Sequence, residues 1–449
     1  MTNLNTAILG AKTAIAQQDY GKARAILTPI AANNPTSAAT LHLARVEFFE
    51  GKPEAAALLI ARFQAASPKH AWAQLLNAQI QFSLGDYSAA RNAAQTAIAL
   101  NSNTSKPANR VLLSINAGEK DAEAKTLIKT LNLAKLEAGN DSFSSEVLDA
   151  AQSLSQFSLG PDWNDDPVNA TIAYFRNAPN LDVALRNYDP HLIDVATRFD
   201  YITWPKRIQD HVIGKSVLDV GCGFGGYGMG FLVAGAVGYV GLDPVMELDS
   251  PCAKNKRTRA WEDMGITPRE IAAALPAIKL IESPFEDVEI NDTFDTIVLH
   301  NVTEHLIQLE TVFGGLVRFM CDPTRVVFLH HNYYGWNGHH FPPHFPHQLD
   351  EADAEHQEFY DWRHIEFAVD PPEDHYIKTD LNRVRLDEIK AITAKHFDIE
   401  TWEEIPSSGA TLARLSPEIL TRVRAIIPNL SKRDLSINTV FCVAKMKPK

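Results

Sequence analysis

The chain has 449 residues, of which 45% are hydrophobic and 22% charged, and its formal net charge is −13. This length exceeds one ordinary hydrophobic core, so two or more domains are expected. The acidic balance gives no overall basic footprint for nucleic acid or an anionic membrane. The four cysteines are scattered without metal-ligand or pairing spacing, which argues against a disulfide framework, a zinc ribbon or an iron–sulfur cluster.

The charge is unevenly distributed along the chain. Residues 1–135 contain 14 Lys and Arg and 8 Asp and Glu, a net charge of +6, which leaves −19 for the remainder. The N-terminal residues lack a basic segment followed by an apolar run, and no apolar run is long enough to span a bilayer. We therefore expect a reduced, cytoplasmic protein without a signal peptide or membrane span.

A repeat of 33 or 34 residues runs through the first 135 residues. Turn-forming triplets recur at residues 18–20, 51–53, 85–87 and 118–120. Small residues occupy matching positions before and after the first three turns: Ala11, Ala44 and Ala78, and Ala23, Ala56 and Ala90. Pro35 and Pro68 follow at the positions where a second helix would end. The pattern resembles the tetratricopeptide repeat (TPR), a helix–turn–helix unit whose small residues let two helices approach closely.

This resemblance implies an all-α superhelix over residues 1–135, with a concave groove for a peptide or a partner protein. Three copies fit the pattern. The fourth is degenerate, because Glu123 stands where the small residue belongs, and a polar closing unit would explain it. The alternative is a purely structural or dimerising appendage. Residues 136–200 are interpreted as a helical connector.

The most informative stretch is residues 217–226, Val-Leu-Asp-Val-Gly-Cys-Gly-Phe-Gly-Gly. A buried strand runs directly into Gly221, Gly223 and Gly225, and the apolar run that follows predicts a helix. Glycines let the backbone turn sharply and let a ligand approach main-chain N–H groups at a helix N-terminus. A second strand then ends in Asp243, where a carboxylate can accept both hydroxyls of a ribose.

Two ligand classes fit this strand, loop and helix: dinucleotides and S-adenosylmethionine (SAM). Asp219 decides between them, because a carboxylate at the end of the first strand suits a ligand with an ammonium and a sulfonium better than an anionic pyrophosphate. The stretch resembles the first motif of class I SAM-dependent methyltransferases. The resemblance implies a Rossmann-like domain over residues 201–449, with a seven-stranded sheet in the order 3-2-1-4-5-7-6. It also implies that Asp219, Gly221, Gly223, Gly225 and Asp243 bind the cofactor.

The rest of this domain alternates strands and helices. Strands are expected at residues 278–282, 296–300, 325–331, 397–404 and 439–445, and helices at 267–277, 306–320, 386–396 and 417–427. Residues 254–266 are charged and irregular. By the resemblance, main-chain groups near Phe285, with Glu286, would contact adenine, and His300 would lie by the adenine or the methyl group. Glu304 and His305 would stand in the first turn of the next helix, as capping residues or as an acid–base pair.

Half of the sixteen histidines fall within residues 330–364. In the methyltransferase family the segment after the fifth strand shapes the acceptor site, so His331, Tyr334, His339 or His340 is expected to act as the general base or to orient the acceptor. A second interpretation is a metal site at His340, His344 and His347 with Asp350 or Glu351, although prolines enforce a loop and no metal is assigned. The third is that the histidines are surface or packing residues.

The function expected from these features is SN2 transfer of a methyl group to an oxygen or nitrogen atom of a small molecule, a glycan or a protein, with the repeats binding a partner. The alternatives are a metal-dependent enzyme that uses the histidine-rich segment, and a non-catalytic TPR interaction protein. Nucleic acid is disfavoured because the catalytic part is acidic.

Overall fold

A computed structural model describes residues 4–137, 143–160 and 162–447. The chain divides into two compact units, unit 1 (Met1–Thr126) and unit 2 (Leu127–Lys449). Part of the predicted connector over 136–200, namely residues 138–142 and 161, lies outside the described residues. Among the described helices, none combines the length and the apolar character that crossing a membrane requires.

Unit 1 is built from antiparallel pairs of short helices. They are α1 (Leu4–Ala16), α2 (Tyr20–Asn33), α3 (Ala38–Phe49), α4 (Pro53–Ala66), α5 (Ala71–Ser83), α6 (Tyr87–Leu100) and the first part of α7 (Ser105–Glu137). The side chains of Asp19 and Asp86 cap α2 and α6 by accepting from the N–H groups of Lys22 and Ala89.

The small residues of the repeat lie where two helices meet. Ala11, Ala44 and Ala78 on one set of helices, and Ala23, Ala56 and Ala90 on the other, all have 0% exposed surface. A larger side chain at these positions would push the helices apart, which explains why alanine recurs there. The N-terminal region is therefore helical, and the recurring alanines lie buried in it.

Unit 2 begins with helices that precede its sheet. They are α8 (Ser145–Ser155), α9 (Pro167–Asn177), α10 (Leu181–Arg186), α11 (Pro190–Arg198) and α12 (Thr203–Arg207). Most begin at an Asp, Asn or Ser that caps the helix, as at Asp166 and Asp189.

A seven-stranded, mostly parallel sheet forms the centre of unit 2. Its strands are β1 (Ser216–Val220), β2 (Gly238–Asp243), β5 (Ile278–Glu282), β6 (Phe294–His300), β7 (Met320–His331), β8 (Phe397–Pro406) and β9 (Ile437–Met446). Their order across the sheet is β5-β2-β1-β6-β7-β9-β8, which is 3-2-1-4-5-7-6 when the seven strands are numbered along the chain. The last strand in sequence, β9, runs antiparallel to both of its neighbours.

The remaining helices connect these strands or follow β7. They are α13 (Tyr227–Val233), α14 (Pro268–Ala274), α15 (Leu309–Leu316), α16 (Ala354–Phe359), α17 (Arg363–Phe367), α18 (Tyr376–Thr379), α19 (Leu386–His396), α20 (Gly409–Leu412), α21 (Pro417–Ile426) and α22 (Lys432–Ser436). One core packs Leu218, Ile297 and Phe328 of the sheet against Phe313 of α15. A second core packs Tyr333 and Trp336 against Trp362 and α21.

Two local predictions were wrong. The helix after β6 was expected to contain Glu304 and His305 in its first turn, but α15 begins only at Leu309, and both residues lie in a turn before it. The segment expected to be irregular, residues 254–266, forms the loop and second strand of an antiparallel hairpin, β3 (Cys252–Lys254) with β4 (Trp261–Asp263). Short strands with charged residues escape a sequence pattern because their pairing, rather than their apolar periodicity, defines them.

Candidate functional site

The glycine loop lies at the carboxyl end of β1, where parallel sheets place their ligands. Its entry is held by Gly221, whose N–H donates to the Leu242 carbonyl at 2.8 Å. Gly221 has φ +78°, and a Cβ there would stand 2.0 Å from a methyl carbon of Val302. Gly223 has φ +60°, but a Cβ there would meet no atom within 4 Å. The first glycine is thus required by packing, whereas the second faces open space.

Asp219 lies at the same end of β1 and is 2% exposed. Its Oδ2 accepts a hydrogen bond of 2.7 Å from the hydroxyl of Tyr239. Burial raises the pKa of this carboxyl to about 7, and the Tyr239 hydrogen bond opposes the rise. A neighbouring cation would stabilise the ionised form, so the position favours a positively charged ligand group.

Asp243 closes the loop from the end of β2. Its Oδ2 accepts from the N–H of Gly223 at 2.7 Å, and its Oδ1 accepts from the N–H of Val245 at 2.9 Å. Burial raises the pKa of Asp243, while these two hydrogen bonds lower it. The carboxylate therefore orients the second glycine of the loop.

His300 ends β6 beside the glycine loop. Its ring stacks on Trp204 with centroids 4.4 Å apart, and it meets Tyr227 edge-on at 5.3 Å. Burial lowers the pKa of His300 to about 3, so the imidazole is neutral at physiological pH. A neutral ring there offers one donor and one acceptor without adding positive charge.

A first cavity of about 310 Å³ opens above these groups. Six of the residues that line it are Asp219, Gly221, Gly223, Tyr227, His300 and Asn301. Trp204, Lys256 and Arg259 also line it. Burial, together with the positive charges of Lys254 and Arg259, lowers the pKa of Lys256 to about 8.

A second cavity of about 370 Å³ lies beside the first. Histidines 305, 331, 340 and 344 line it, together with Glu304 and Tyr376. The two cavities share four lining residues, which are Lys256, Arg259, Asn301 and Leu329. Asn301 has φ +54°, a left-handed conformation that Asn tolerates, and its N–H donates to the Leu329 carbonyl. The turn after β6 thus forms a wall common to both cavities.

The structure brings two of the four predicted catalytic residues together. Nδ1 of His331 lies 2.9 Å from Nε2 of His340, and Nε2 of His331 lies 3.1 Å from Oδ1 of Asn337. Burial lowers the pKa of His331 to about 4 and holds the pKa of His340 well below its usual value. The pair is therefore neutral and forms part of the second cavity.

The other two predicted catalytic residues lie in the second core. The hydroxyl of Tyr334 donates to the Arg383 carbonyl at 3.1 Å, and His339 is fully buried with its ring stacked on Phe359. Neither is among the residues that line the two cavities. The packing interpretation describes their surroundings better than an acceptor site.

The residues expected near adenine also lie apart from both cavities. Phe285 packs on Phe319, and its carbonyl accepts from the Arg318 guanidinium at 2.7 Å. Glu286 is exposed, and neither residue lines either cavity. Histidines 344 and 347, from the alternative metal set, do not join His340 in a cluster of potential ligands within the described part of the chain.

Four cavity residues were not predicted to belong to the site. Trp204 comes from a helix before the sheet, and Lys256 and Arg259 come from the loop of the β3–β4 hairpin. Tyr376 begins α18. The run of basic residues from Lys254 to Arg259 was the one available indication, since clustered cations in an acidic domain are unusual.

No protein-family model matches the chain, and no curated protein matches its sequence. Similar solved structures include a SAM-dependent methyltransferase from Mesorhizobium loti, with 17% identity, 52% of this chain and 92% of that chain covered, and a TM-score of 0.30. A geranyl diphosphate methyltransferase in complex with SAM is 15% identical to this chain. The match covers 59% of this chain and 90% of that chain, with a TM-score of 0.32. A geranyl diphosphate C-methyltransferase from Streptomyces coelicolor A3(2) is 17% identical to this chain. The match covers 55% of this chain and 80% of that chain, with a TM-score of 0.31. Sequence identities and TM-scores this low carry no information about the reaction, so a function can be argued only from the residues of the chain itself.

Proposed function

We propose that unit 2 is a SAM-dependent methyltransferase that acts on an oxygen or nitrogen atom of its acceptor. The observation that carries the proposal is the wall shared by the two cavities. One cavity is lined by Asp219 and the glycine loop, the other by neutral histidines, and Asn301 belongs to both. Because the cavities share lining residues, ligands bound in them would be neighbours, as methyl transfer between them requires.

The first cavity has the chemistry that SAM requires. Gly221 and Gly223 line the cavity and, with Gly225, would hold the amino-acid end of SAM, while Asp219 would face the positive charge. Asp243, which like Gly225 is not among the lining residues, would take the ribose hydroxyls. The open space at Gly223 and the buried carboxylate of Asp219 both fit such a ligand. A pyrophosphate would instead meet the Asp219 carboxylate and be repelled. When bound, the cofactor supplies a methyl group that its own sulfonium charge activates.

The second cavity is proposed as the acceptor site. Its histidines are neutral, and His340, whose ring is held by a hydrogen bond to His331, can accept a proton or orient a hydroxyl or an amine. Three basic side chains, Lys254, Lys256 and Arg259, line it against one carboxylate, Glu304. This balance favours an acceptor that carries a negative charge. The protein would accelerate the reaction by aligning the acceptor with the cofactor where the two cavities adjoin, since the methyl group needs no further activation.

Calorimetric titration of SAM and NAD⁺ into the full chain tests the cofactor assignment. We expect micromolar binding of SAM, no binding of NAD⁺, and at least a tenfold loss of SAM affinity in Asp243→Ala. Asp249→Ala is the matched control, because Asp249 is an exposed carboxylate of the same unit that pairs with Arg269. Binding of NAD⁺ in place of SAM, or equal SAM binding by both variants, would contradict the proposal.

Unit 1 has its own feature that supports the partner-binding role of TPR-like repeats. A groove of about 540 Å³ is lined by Lys12, Arg45, Phe49 and Trp72, with no acidic residue among its lining side chains. Phe49 and Trp72 are 44% and 51% exposed. Exposed aromatic rings beside two cations suit an extended peptide with apolar and acidic residues.

The test of this second role uses synthetic peptides on the full chain. Fluorescence anisotropy should detect an alternating Leu/Glu peptide more strongly than its Leu/Lys counterpart, and Arg45→Glu should reverse the preference. Equal binding of both peptides, or none, would argue for a purely structural repeat region.

A further inference from the structure

Three potential metal ligands converge in the second cavity. Glu304 and His305 come from the turn after β6, and His340 comes from the segment after β7. One ligand atom from each of the three lies within 4.8 Å of the other two. Two imidazoles and one carboxylate are a donor set that binds divalent transition metals.

Glu304 presents an unused oxygen to this cluster. The side chain is 1% exposed, and its Oε1 has no hydrogen-bond partner. Its other oxygen, Oε2, accepts from the N–H of His331 at 3.3 Å. A buried carboxylate oxygen without a donor is costly. Because Oε1 lies 3.9 Å from Nε2 of His305, it faces the other ligands of the cluster.

The hydrogen bonds around the two histidines assign their protons. Nδ1 of His305 lies 2.9 Å from the Asp380 carbonyl. A carbonyl can only accept, so Nδ1 carries the proton and Nε2 is left with a lone pair. The hydrogen bond to the Asp380 carbonyl fixes the orientation of the His305 ring, as hydrogen bonds from surrounding residues orient the ligands of metal sites.

The position of the His340 ring proton follows from the contact between His340 and His331. Nε2 of His331 donates to Oδ1 of Asn337, so Nδ1 of His331 is an acceptor. Nε2 of His340 therefore donates to it at 2.9 Å, which leaves Nδ1 of His340 with a lone pair that lies 3.4 Å from the Tyr376 hydroxyl. His340 also has φ +64°, a left-handed conformation that carries some strain even in His, which adopts it more often than most residues. Strain of this kind persists where surrounding contacts enforce it, and it is concentrated at functional sites.

We propose that Glu304, His305 and His340 bind one divalent transition-metal ion in the second cavity. A point equidistant from three atoms 4.8 Å apart lies about 2.8 Å from each, and zinc–nitrogen and zinc–oxygen bonds are about 2.0–2.2 Å. Each donor would therefore move by roughly 0.7 Å or less, which a side-chain rotation supplies. Two imidazoles favour zinc, cobalt or iron over magnesium or calcium, which prefer oxygen ligands alone.

The basic side chains of the cavity indicate which kind of ligand would bind the metal ion alongside the three protein residues. Lys254, Lys256 and Arg259 line the same cavity, and their positive charges oppose a bare cation. An anionic group that bridges the ion and these side chains would offset that repulsion. An ion with three protein ligands keeps a further position for water or a substrate oxygen. The cavity is thus suited to hold an anionic acceptor by an oxygen atom.

The test measures metal binding directly and does not depend on SAM. Full-length protein is freed of metal with a chelator, and Co²⁺ and Zn²⁺ are titrated by calorimetry, with the visible absorption of Co²⁺ as a report of its ligands. The variants are Glu304→Gln, which keeps the shape of the side chain, and His340→Asn, because Asn tolerates a positive φ. His347→Gln is the control: His347 is exposed, stacks on Phe345, and is not among the residues that line the cavity.

We expect one ion per chain in the wild type and in His347→Gln. Glu304→Gln and His340→Asn should each bind Co²⁺ at least ~100-fold more weakly, because even outer hydrogen-bond partners of metal ligands change affinity by 10–100-fold. Thermal melting and circular dichroism of each variant confirm its fold. Less than one tenth of an ion per wild-type chain, or unchanged affinity in folded Glu304→Gln, would overturn the metal site. SAM titrations of the same variants report the cofactor site separately.

Discussion

The indole of Trp204 lies flat on the imidazole of His300, with ring centroids 4.4 Å apart and planes inclined by 10°. Trp204 comes from α12, before the sheet, and His300 from the end of β6. The stack covers one face of the histidine at the first cavity, and burial keeps His300 neutral by lowering its pKa. A residue that precedes the sheet therefore fixes the ring that we propose lies beside the cofactor.

Substitutions at Trp204 should show how much the aromatic ring on His300 contributes to stability. Trp204 is 4% exposed, and its indole N–H has no partner. Trp204→Ala should lower the free energy of unfolding by about 3–5 kcal/mol through the cavity it leaves. Trp204→Phe keeps a ring on His300 and should lower it by less than about 1.5 kcal/mol, with SAM affinity nearly unchanged. Urea unfolding and calorimetry measure both, and equal losses in the two variants would contradict the stacking role.

Two glycines of the loop should respond differently to the same substitution. Gly221→Ala drives a Cβ to 2.0 Å from Val302, so the variant should be severely destabilised. Gly223→Ala adds strain at φ +60° but no clash, so its loss of stability should be about 1 kcal/mol. Its methyl group would enter the first cavity and weaken SAM binding at least tenfold. Full SAM affinity in Gly223→Ala would place the ligand elsewhere.

The buried carboxyl of Asp219 should make stability depend on pH. Its pKa is about 7 in the folded chain, against an ordinary value of 3.8 for an aspartate that is open to water. Between these values the folded state holds a proton that the unfolded state has lost, so stability falls as pH rises from about 4 to 7, by up to roughly 4 kcal/mol. Asp219→Asn cannot titrate, and its stability relative to the wild type should improve with rising pH. Urea unfolding at pH 5 and pH 8 measures the difference.

Tyr239 provides the control for that prediction. Its hydroxyl donates to Asp219 and lowers the pKa of the carboxyl. Tyr239→Phe should therefore raise the Asp219 pKa further and increase the loss of stability at pH 8. A pH dependence identical in the wild type, Asp219→Asn and Tyr239→Phe would show that another group titrates.

The alanine positions of unit 1 should not accept larger side chains. Ala78 is fully buried in α5 and packs in a core with Ala90 of α6. Ala78→Leu adds volume between close helices and should destabilise unit 1 by about 1–3 kcal/mol. Leu113, which is 68% exposed, offers the control Leu113→Ala, whose effect should stay within about 0.5 kcal/mol. Helix content followed by circular dichroism during urea unfolding checks both.

The elements predicted best from sequence are those with a strong local signal. The strand over 278–282 and the helix over 386–396 were predicted with their observed ends, because turn residues or a change of period bound them. The Glu304–His305 turn was mistaken for a helix start, since a carboxylate before an apolar run is also how many helices begin. Its true conformation depends on long-range contacts, such as the hydrogen bond between His305 and the Asp380 carbonyl.

The residues of the candidate site also differ in how well the sequence predicts their positions. Asp219 lies near the end of β1 and the glycines follow that strand directly, so their position at the sheet edge was predictable. Among the histidines after β7, composition could not distinguish His340, which lines a cavity, from His339, which packs on Phe359. Adjacent residues of an irregular segment point in directions that only tertiary packing decides.

Diffraction from crystals of the full chain grown with S-adenosylhomocysteine tests the central claim most directly. The proposal predicts the amino-acid end of the ligand against Gly221–Gly225, its ribose at Asp243, and its sulfur directed past Asn301 toward the cavity of His331 and His340. Density in another cavity, or a sulfur atom that faces away from that shared wall, would contradict methyl transfer between the two cavities.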